Sequence, residues 1–399
     1  MKDDSSPFSY YGPTRLVFGR GVTAGAGGLV AGLGARSVLL VCGSGATRRS
    51  AGFAALAASL EAAGVRATTF DKVTPDPHAA LVAEAADAIR SGALEAVVAY
   101  GGGSPIDCAK SAALAAANGG PILDYVRGKA TPSRPALPIV AVTSTAGTGS
   151  EMSSAAVTTD RATGQKLGYT NESFFPRLAI VDPENHASMP AGVTAATGMD
   201  ALTHAVESYL SLAANPLSDA VNLRVVSMIA RSLARAYRDG SDLEARSGMA
   251  VASAIAGVAF SQTGLGMVHG FAHPVGARHG VAHGLANAVI LPYVMSALAR
   301  DAAPRMRDLA AAMGACRPDA DDRSGAAALV RVIVDLKKEL GVPEGLSGAG
   351  IRPSDAPTLL ADAIGYRSRP KSPRAFTDAE LGRLLDAAIA GDLEAAWAL

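Results

Sequence analysis

Two segments decide how this chain is read: Gly198-Met-Asp200-Ala-Leu-Thr-His204-Ala-Val-Glu207, and Gly264-Leu-Gly-Met-Val-His269-Gly-Phe-Ala-His273-Pro-Val-Gly-Ala-Arg-His279-Gly-Val-Ala-His283-Gly284. The chain has 7 histidines, and five of them fall between positions 204 and 283. The text around Ala201–Leu210 is helix-prone, so Asp200 and His204, at i and i+4, share one helix face. A carboxylate and an imidazole pointing the same way make half a metal site, and the later histidines can supply the rest from a second helix. Three imidazoles and one carboxylate suit a borderline divalent ion such as Fe²⁺ or Zn²⁺ rather than a hard ion that wants only oxygen. Both His269/His273 and His279/His283 are i, i+4 pairs, so spacing does not choose between them. His78 and His186 read as ordinary hydrogen-bonded residues.

Outward from this stretch the text changes character. From about Pro190 to the end helical patterns dominate, at 192–211, 217–236, 242–262, 264–276, 284–298, 301–314, 323–340, 353–363 and 377–390. Before it, strands and helices alternate. Ser37–Cys42, Ala67–Phe70, Ala96–Tyr100 and Pro138–Val142 are short apolar runs bounded by turn residues, the pattern of buried parallel strands. Helices are expected between them, including one running up to Leu60, one from His78 to Ser91 and one from Pro105 to Ala117. Residues 8–19 read as a hairpin or an edge strand, and three strand-like runs follow residue 155. The expected architecture is an α/β N-terminal nucleotide-binding domain with a parallel sheet over 1–189, then an all-α C-terminal metal-binding domain over 190–399.

Three glycine-bearing loops fall at predicted strand ends: Gly43-Ser-Gly45, Gly101-Gly-Gly-Ser-Pro105 and Thr145-Ala-Gly-Thr-Gly-Ser150. Open α/β sheets bind ligands at the carboxyl ends of their strands. Glycines let backbone N–H groups approach a pyrophosphate, and a helix N-terminus adds its positive end. A GxGxxG fingerprint is absent, and no nucleophile elbow is found at Ser150.

The whole-chain balance narrows the classes. Lysine plus arginine equals aspartate plus glutamate at 36 each, which leaves no electrostatic footprint for nucleic acid or an anionic membrane. The apolar runs are interrupted before the length of ~20 residues that a span needs. The polar start Met1-Lys-Asp-Asp-Ser-Ser lacks the character of a signal peptide. The 3 cysteines have no metal-type spacing and read as buried thiols in a reducing compartment, hence the cytoplasm.

The two histidine segments resemble the signatures of the iron-containing (group III) alcohol dehydrogenases. The likeness extends to Gly12-Pro-Thr-Arg-Leu-Val-Phe-Gly19, Gly101-Gly-Gly-Ser-Pro-Ile-Asp-Cys-Ala-Lys110, Thr145-Ala-Gly-Thr-Gly-Ser-Glu151 and Ala179-Ile-Val-Asp-Pro-Glu184. It implies a dehydroquinate-synthase-like fold with the active site in a cleft between the domains. It implies metal ligands at Asp200, His204, His269 and His283, and a role near the nicotinamide, with proton transfer, for His273. It implies cofactor contacts at Gly102, Gly103, Ser104, Asp107, Ser144, Thr145, Thr148 and Lys166. It carries no role for His279. The activity implied is that of a metal-dependent alcohol dehydrogenase or aldehyde reductase, with Fe²⁺ or alternatively Zn²⁺, acting with NAD or NADP on a small alcohol or aldehyde as a homodimer or larger homo-oligomer.

One departure bears on the cofactor. NAD-preferring members often carry an aspartate where this chain has Gly43. Its absence removes repulsion against a 2′-phosphate, which Ser44, Arg48 or Arg49 could receive. Both cofactors stay open, with a lean toward tolerance of NADP. Rival readings are a maleylacetate-reductase-like enzyme, whose relatives usually lack the full ligand set, and a dehydroquinate-synthase-like lyase, which needs more basic residues than Arg278 alone. A non-catalytic binding protein fits least, because the ligand set and the cofactor loop are both complete.

Overall fold

The computed structural model describes residues 7–399. The chain divides into two compact units, Tyr11–Met189 and Pro190–Leu399, and residues 7–10 group with the second. That grouping departs from the expectation that the opening residues belong with the sheet.

The first unit holds eight strands: β1 (Arg15–Phe18), β2 (Ser37–Gly43), β3 (Arg66–Val73), β4 (Ala96–Gly101), β5 (Ile139–Thr143), β6 (Ala155–Asp160), β7 (Gln165–Thr170) and β8 (Leu178–Val181). Six form one sheet in the order β1-β8-β5-β4-β2-β3, and β6 and β7 form an antiparallel hairpin. Every pairing in the six-stranded sheet is parallel. Parallel strands need crossovers, supplied here by α1 (Ala26–Gly32), α2 (Ala51–Ala62), α3 (Ala79–Ser91) and α4 (Gly103–Asn118), with the short α5 (Ile122–Val126) after α4.

Helices on both faces explain the unbroken apolar runs. Along β2, Leu39 and Val41 enter one core with Val97, Ala99, Val82 and Ile106, while Val38, Leu40 and Cys42 enter another with Val98, Phe53 and Leu56. β3 lies at the sheet edge with only Phe70 and Val73 buried, and is longer at both ends than its apolar text. β1 is the opposite edge strand, beside β8, which settles the hairpin-or-edge alternative.

The strand order reverses between β2 and β4. That is the switch point at which open α/β sheets leave a crevice beyond the strand ends. Gly43 closes β2 there and Gly101 closes β4.

In the second unit, among the described residues, all regular structure is helical. It comprises α6 (Ala191–Leu210), α7 (Pro216–Arg238), α8 (Leu243–Thr263), α9 (Met267–His279), α10 (His283–Leu298), α11 (Ala303–Ala312), α12 (Asp322–Glu339), α13 (Ala356–Ile364), α14 (Asp378–Ala390) and α15 (Leu393–Trp397). α6 and α10 are nearly continuous buried rods, the composition of central helices. By length and apolarity α8 could cross a membrane. Its packing is that of a core helix, with Arg246 buried and bonded to the Thr194 hydroxyl.

Candidate metal centre and nucleotide loops

The helical unit gathers Asp200, His204, His269 and His283 so that one ligand atom from each lies within 4.8 Å of the others. Three contacts share one oxygen. The Nε2 atoms of His204 and His269 are each 3.8 Å from Asp200 Oδ1, and that of His283 is 3.7 Å away. Four donors ~2.1 Å from a central ion would stand about 3.4 Å apart in a tetrahedron. The spacing is slightly wider than that, and the donor set is one carboxylate oxygen and three imidazole nitrogens. The residues present therefore fit a borderline divalent ion.

Local structure explains why these four meet. α6 presents Asp200 and His204 one turn apart on a buried face. α9 runs from Met267 to His279 and ends at Gly280, whose φ of 69° is left-handed, so the helix stops there. His283 then opens α10 as its first residue. The apparent His279/His283 pair is thus split between two helices, and His279 is left exposed. His269 comes from one candidate pair and His283 from the other. Pro274 lies inside α9, which begins three residues later than its text suggests.

Glycines bring the helices close. A Cβ on Gly284 would lie 2.3 Å from the Ala196 carbonyl oxygen of α6. A Cβ on Gly198 would lie 2.2 Å from Leu233 Cδ1. The first approach, of α10 to α6, sets His283 beside Asp200, and the second packs α6 against α7.

His273 stands next to the tetrad, its ring 5.5 Å from that of His283 and 6.0 Å from that of His269. Tyr366 meets its ring edge-on at 5.4 Å. The rings of His204 and His269 stack at 4.8 Å, and Phe260 covers His204 at 4.6 Å. Burial, with the neighbouring His204, His283 and His273 rings, holds His269 well below the usual histidine range and so disfavours its charged form.

Two further residues belong to this centre and escaped the sequence reading. Glu207 is buried, with Oε2 2.6 Å from His269 Nδ1. Burial raises its carboxyl, while the backbone N–H groups of Gly266, Val268 and His269 pull the other way and favour the charged form. Asn287 donates from Nδ2 to Asp200 Oδ1 at 2.7 Å. The available signal was spacing: Glu207 lies three residues after His204, and Asn287 four after His283.

In the α/β unit the strand-end loops interlock. A Cβ on Gly102 would lie 2.7 Å from Thr145 Oγ1, and one on Gly103 would lie 2.8 Å from Thr148 Cγ2. Only glycine lets these two loops pack so closely. The Ser144 N–H donates to the Gly101 carbonyl at 2.9 Å. α4 begins two residues earlier than expected, with Gly102 as N-cap and Gly103 and Ser104 in its first turn. Pro105 is therefore third rather than first, still within the turn whose N–H groups have no helical partner.

Lys166 on β7 buries its ammonium 2.8 Å from Asp76 Oδ2, and the Asp76 N–H donates to Ser104 Oγ at 3.2 Å. Asp107 turns toward the hairpin, its Oδ2 accepting the Val157 N–H at 3.0 Å. Desolvation pushes its carboxyl up to about 6, offset in part by Lys110. Lys110 is fully buried and donates to the Ser153 and Ala155 carbonyls, both at 2.8 Å, which ties α4 to β6.

Beside Gly43, residues 46–50 form a turn rather than a helix, because Ser50 caps α2 by accepting the Phe53 N–H. Arg48 pairs with Asp71 at 3.6 Å and lies over the Phe53 ring.

Residues 13–183 match the family model described as iron-containing alcohol dehydrogenase, and residues 194–389 match that described as Fe-containing alcohol dehydrogenase family, C-terminal. The chain belongs to the iron-containing alcohol dehydrogenase family. It is 37% identical over 385 residues to the NAD-dependent methanol dehydrogenase of Bacillus methanolicus, covering 96% of this chain and 100% of that protein. It is 37% identical over 325 residues to the 1,3-propanediol dehydrogenase of Citrobacter freundii, covering 82% of this chain and 84% of that one. Its fold matches the crystal structure of a 1,3-propanediol oxidoreductase with a TM-score of 0.92 and 34% identity, covering 96% of this chain and 100% of the other. The parallel-sheet unit followed by a helical unit is the architecture of this family.

Proposed function

We propose that this alcohol dehydrogenase interconverts a small alcohol and its aldehyde with NAD or NADP, using a divalent ion, Fe²⁺ or Zn²⁺, held by Asp200, His204, His269 and His283. The observation that carries the reading is the convergence of those four donor atoms within 4.8 Å in a buried site. The ion would supply a Lewis acid for the alcohol or carbonyl oxygen, and the nicotinamide the acceptor or donor of hydride.

The rest falls to the chain. Asp200, His204 and His269 are buried, whereas the His283 side chain is 29% exposed, so the centre opens on the His283 side. His273 stands on that side, half-buried, and is the residue to carry a proton between the centre and water. In the α/β unit, the first turn of α4 offers N–H groups and a positive helix end to a pyrophosphate, with Gly102 and Gly103 clearing the approach. Ser104, Asp107, Ser144, Thr145, Thr148 and Lys166 complete the cofactor contacts in this reading, and Gly43 leaves room beside the ribose for a 2′-phosphate. The two units serve as nucleotide-binding and metal-binding domains of a cytoplasmic homo-oligomer, a state that light scattering tests.

The deciding assay is oxidation of NADH and NADPH with a panel of short aldehydes by chelated protein reloaded with Fe²⁺ or Zn²⁺. The expected result is metal-dependent oxidation with both nucleotides. Tight nucleotide binding without oxidation under either metal would overturn the reading.

A further inference from the structure

Glu207 lies outside the ligand tetrad, yet both of its oxygens are engaged. Oε1 accepts the Val268 backbone N–H at 2.6 Å, and Oε2 lies 2.6 Å from His269 Nδ1. α9 needs such a partner, because its N-cap is Gly266, which has no side chain to bond the first-turn N–H groups. A Cβ at Gly266 would come within 2.8 Å of Glu207 Oε1, so the glycine leaves the space that the carboxylate fills. A carboxylate from α6 thus takes the place of a cap on α9, and the same carboxylate grips the ring of the third residue in that helix.

The opposite side of the ring faces an amide. His269 Nε2 is 3.1 Å from Asn287 Nδ2, an amide nitrogen that only donates. The same Nδ2 lies 3.2 Å from His283 Nε2. With the Glu207 carboxylate as acceptor at Nδ1, the proton lies on Nδ1 and the lone pair on Nε2, and the Asn287 amide, whose two N–H groups face Asp200, His269 and His283, is compatible with that tautomer. That lone pair faces the space shared with Asp200, His204 and His283.

We propose that Glu207 is a positioning residue for the metal centre: its carboxylate holds His269 as the Nδ1–H tautomer, with Nε2 aimed at the other three ligands. The ring is then ready to bind an ion with neither a flip nor a proton transfer. The partner of a ligating histidine sets ligand basicity and orientation in just this way. The inference rests on the reading of the tetrad as a metal site.

The test uses the full chain, chelated and titrated with Co²⁺ and Zn²⁺ against a chromophoric chelator, for wild type, Glu207→Gln and Glu207→Ala. Both variants are expected to bind either ion about 10–100-fold more weakly. The visible Co²⁺ bands should move, while NADH affinity stays within twofold of wild type. Glu207→Gln keeps an oxygen for the Val268 N–H, so its metal-free melting temperature should stay near that of wild type even if Glu207→Ala fails to fold. A purely structural role predicts the opposite pattern, with a lowered metal-free melting temperature in Glu207→Ala and wild-type affinity and Co²⁺ bands in Glu207→Gln. That pattern overturns the proposal. Wild-type protein that binds neither ion overturns the metal reading itself, and this inference falls with it.

Discussion

Replacing Gly284 by alanine tests how tightly the metal centre depends on helix contact. The new Cβ would sit 2.3 Å from the Ala196 carbonyl oxygen and 2.7 Å from its carbon. A carbon normally approaches a carbonyl oxygen to about 3.3 Å, so the shortfall is about 1 Å. Both obstructing atoms are backbone of α6, so no rotamer change relieves the clash. The first turn of α10 must move, and it carries His283, whose Nε2 now stands 3.7 Å from Asp200 Oδ1. Overpacking of this kind costs about 1–3 kcal/mol of stability. A shift of ~1 Å in reacting geometry costs on the order of 10²-fold in rate. The assay is metal per chain by elemental analysis, with melting temperature and kcat measured alongside. Gly192→Ala is the control, because a Cβ there meets nothing within 4 Å on the same helix α6. It should be neutral, or stabilising by less than about 1 kcal/mol. A Gly284→Ala protein with full metal and kcat within threefold of wild type would refute the argument.

Asp200→Ala should lose metal and turnover together while still binding NADH, and a metal-free but active variant would sink the scheme. His273→Ala should keep its metal by elemental analysis and lose about 10²–10⁴-fold in kcat. Gly43→Asp has room, with the nearest atoms to its Cβ at 3.5 Å and 3.6 Å, and should raise KM for NADPH at least about tenfold relative to NADH. Glu151 gives a pH test. Burial pushes its carboxyl from 4.5 up to about 7, so folding takes up a proton, and the resulting stability, full below pH 4.5, is lost as pH rises to 7. Glu151→Gln should gain on wild type across that window by up to about 3 kcal/mol in urea titrations, and parallel pH profiles for the two proteins would contradict this.

The sheet was legible because both its faces are covered. Ser37–Gly43 reads as one apolar run since odd and even residues alike enter a core. β3 was read too short because an edge strand has no such pressure on its outer residues. In the centre, residue types pointed to a metal, but the choice among four histidines turned on where α9 stops. That depends on the left-handed backbone of Gly280, and i, i+4 spacing cannot report a helix boundary lying between its two members. The pairing of Lys166 with Asp76 was hidden for a different reason, since it joins a hairpin to a loop that lies far away in the chain. Arg48 lies in a turn ahead of α2 because Ser50, a good capping residue, sits two positions later and starts the helix at Ala51. Glu207 was in plain view within a quoted motif, and only the position of α9 gave it a partner.

The edge of the sheet has a consequence for how the protein is made. Among the described residues β1 pairs only with β8, and the Asp182 carboxylate that accepts the Gly21 N–H lies 161 residues downstream. The first of the described strands to be synthesised is therefore among the last of them to find its neighbour. During synthesis at about 5–20 residues per second, Arg15–Phe18 waits many seconds as an unpaired strand. Such long-range parallel pairing folds slowly, and transient strand edges attract other chains. A strand of only four residues offers little length for mispairing, so its brevity guards the nascent chain until β8 emerges.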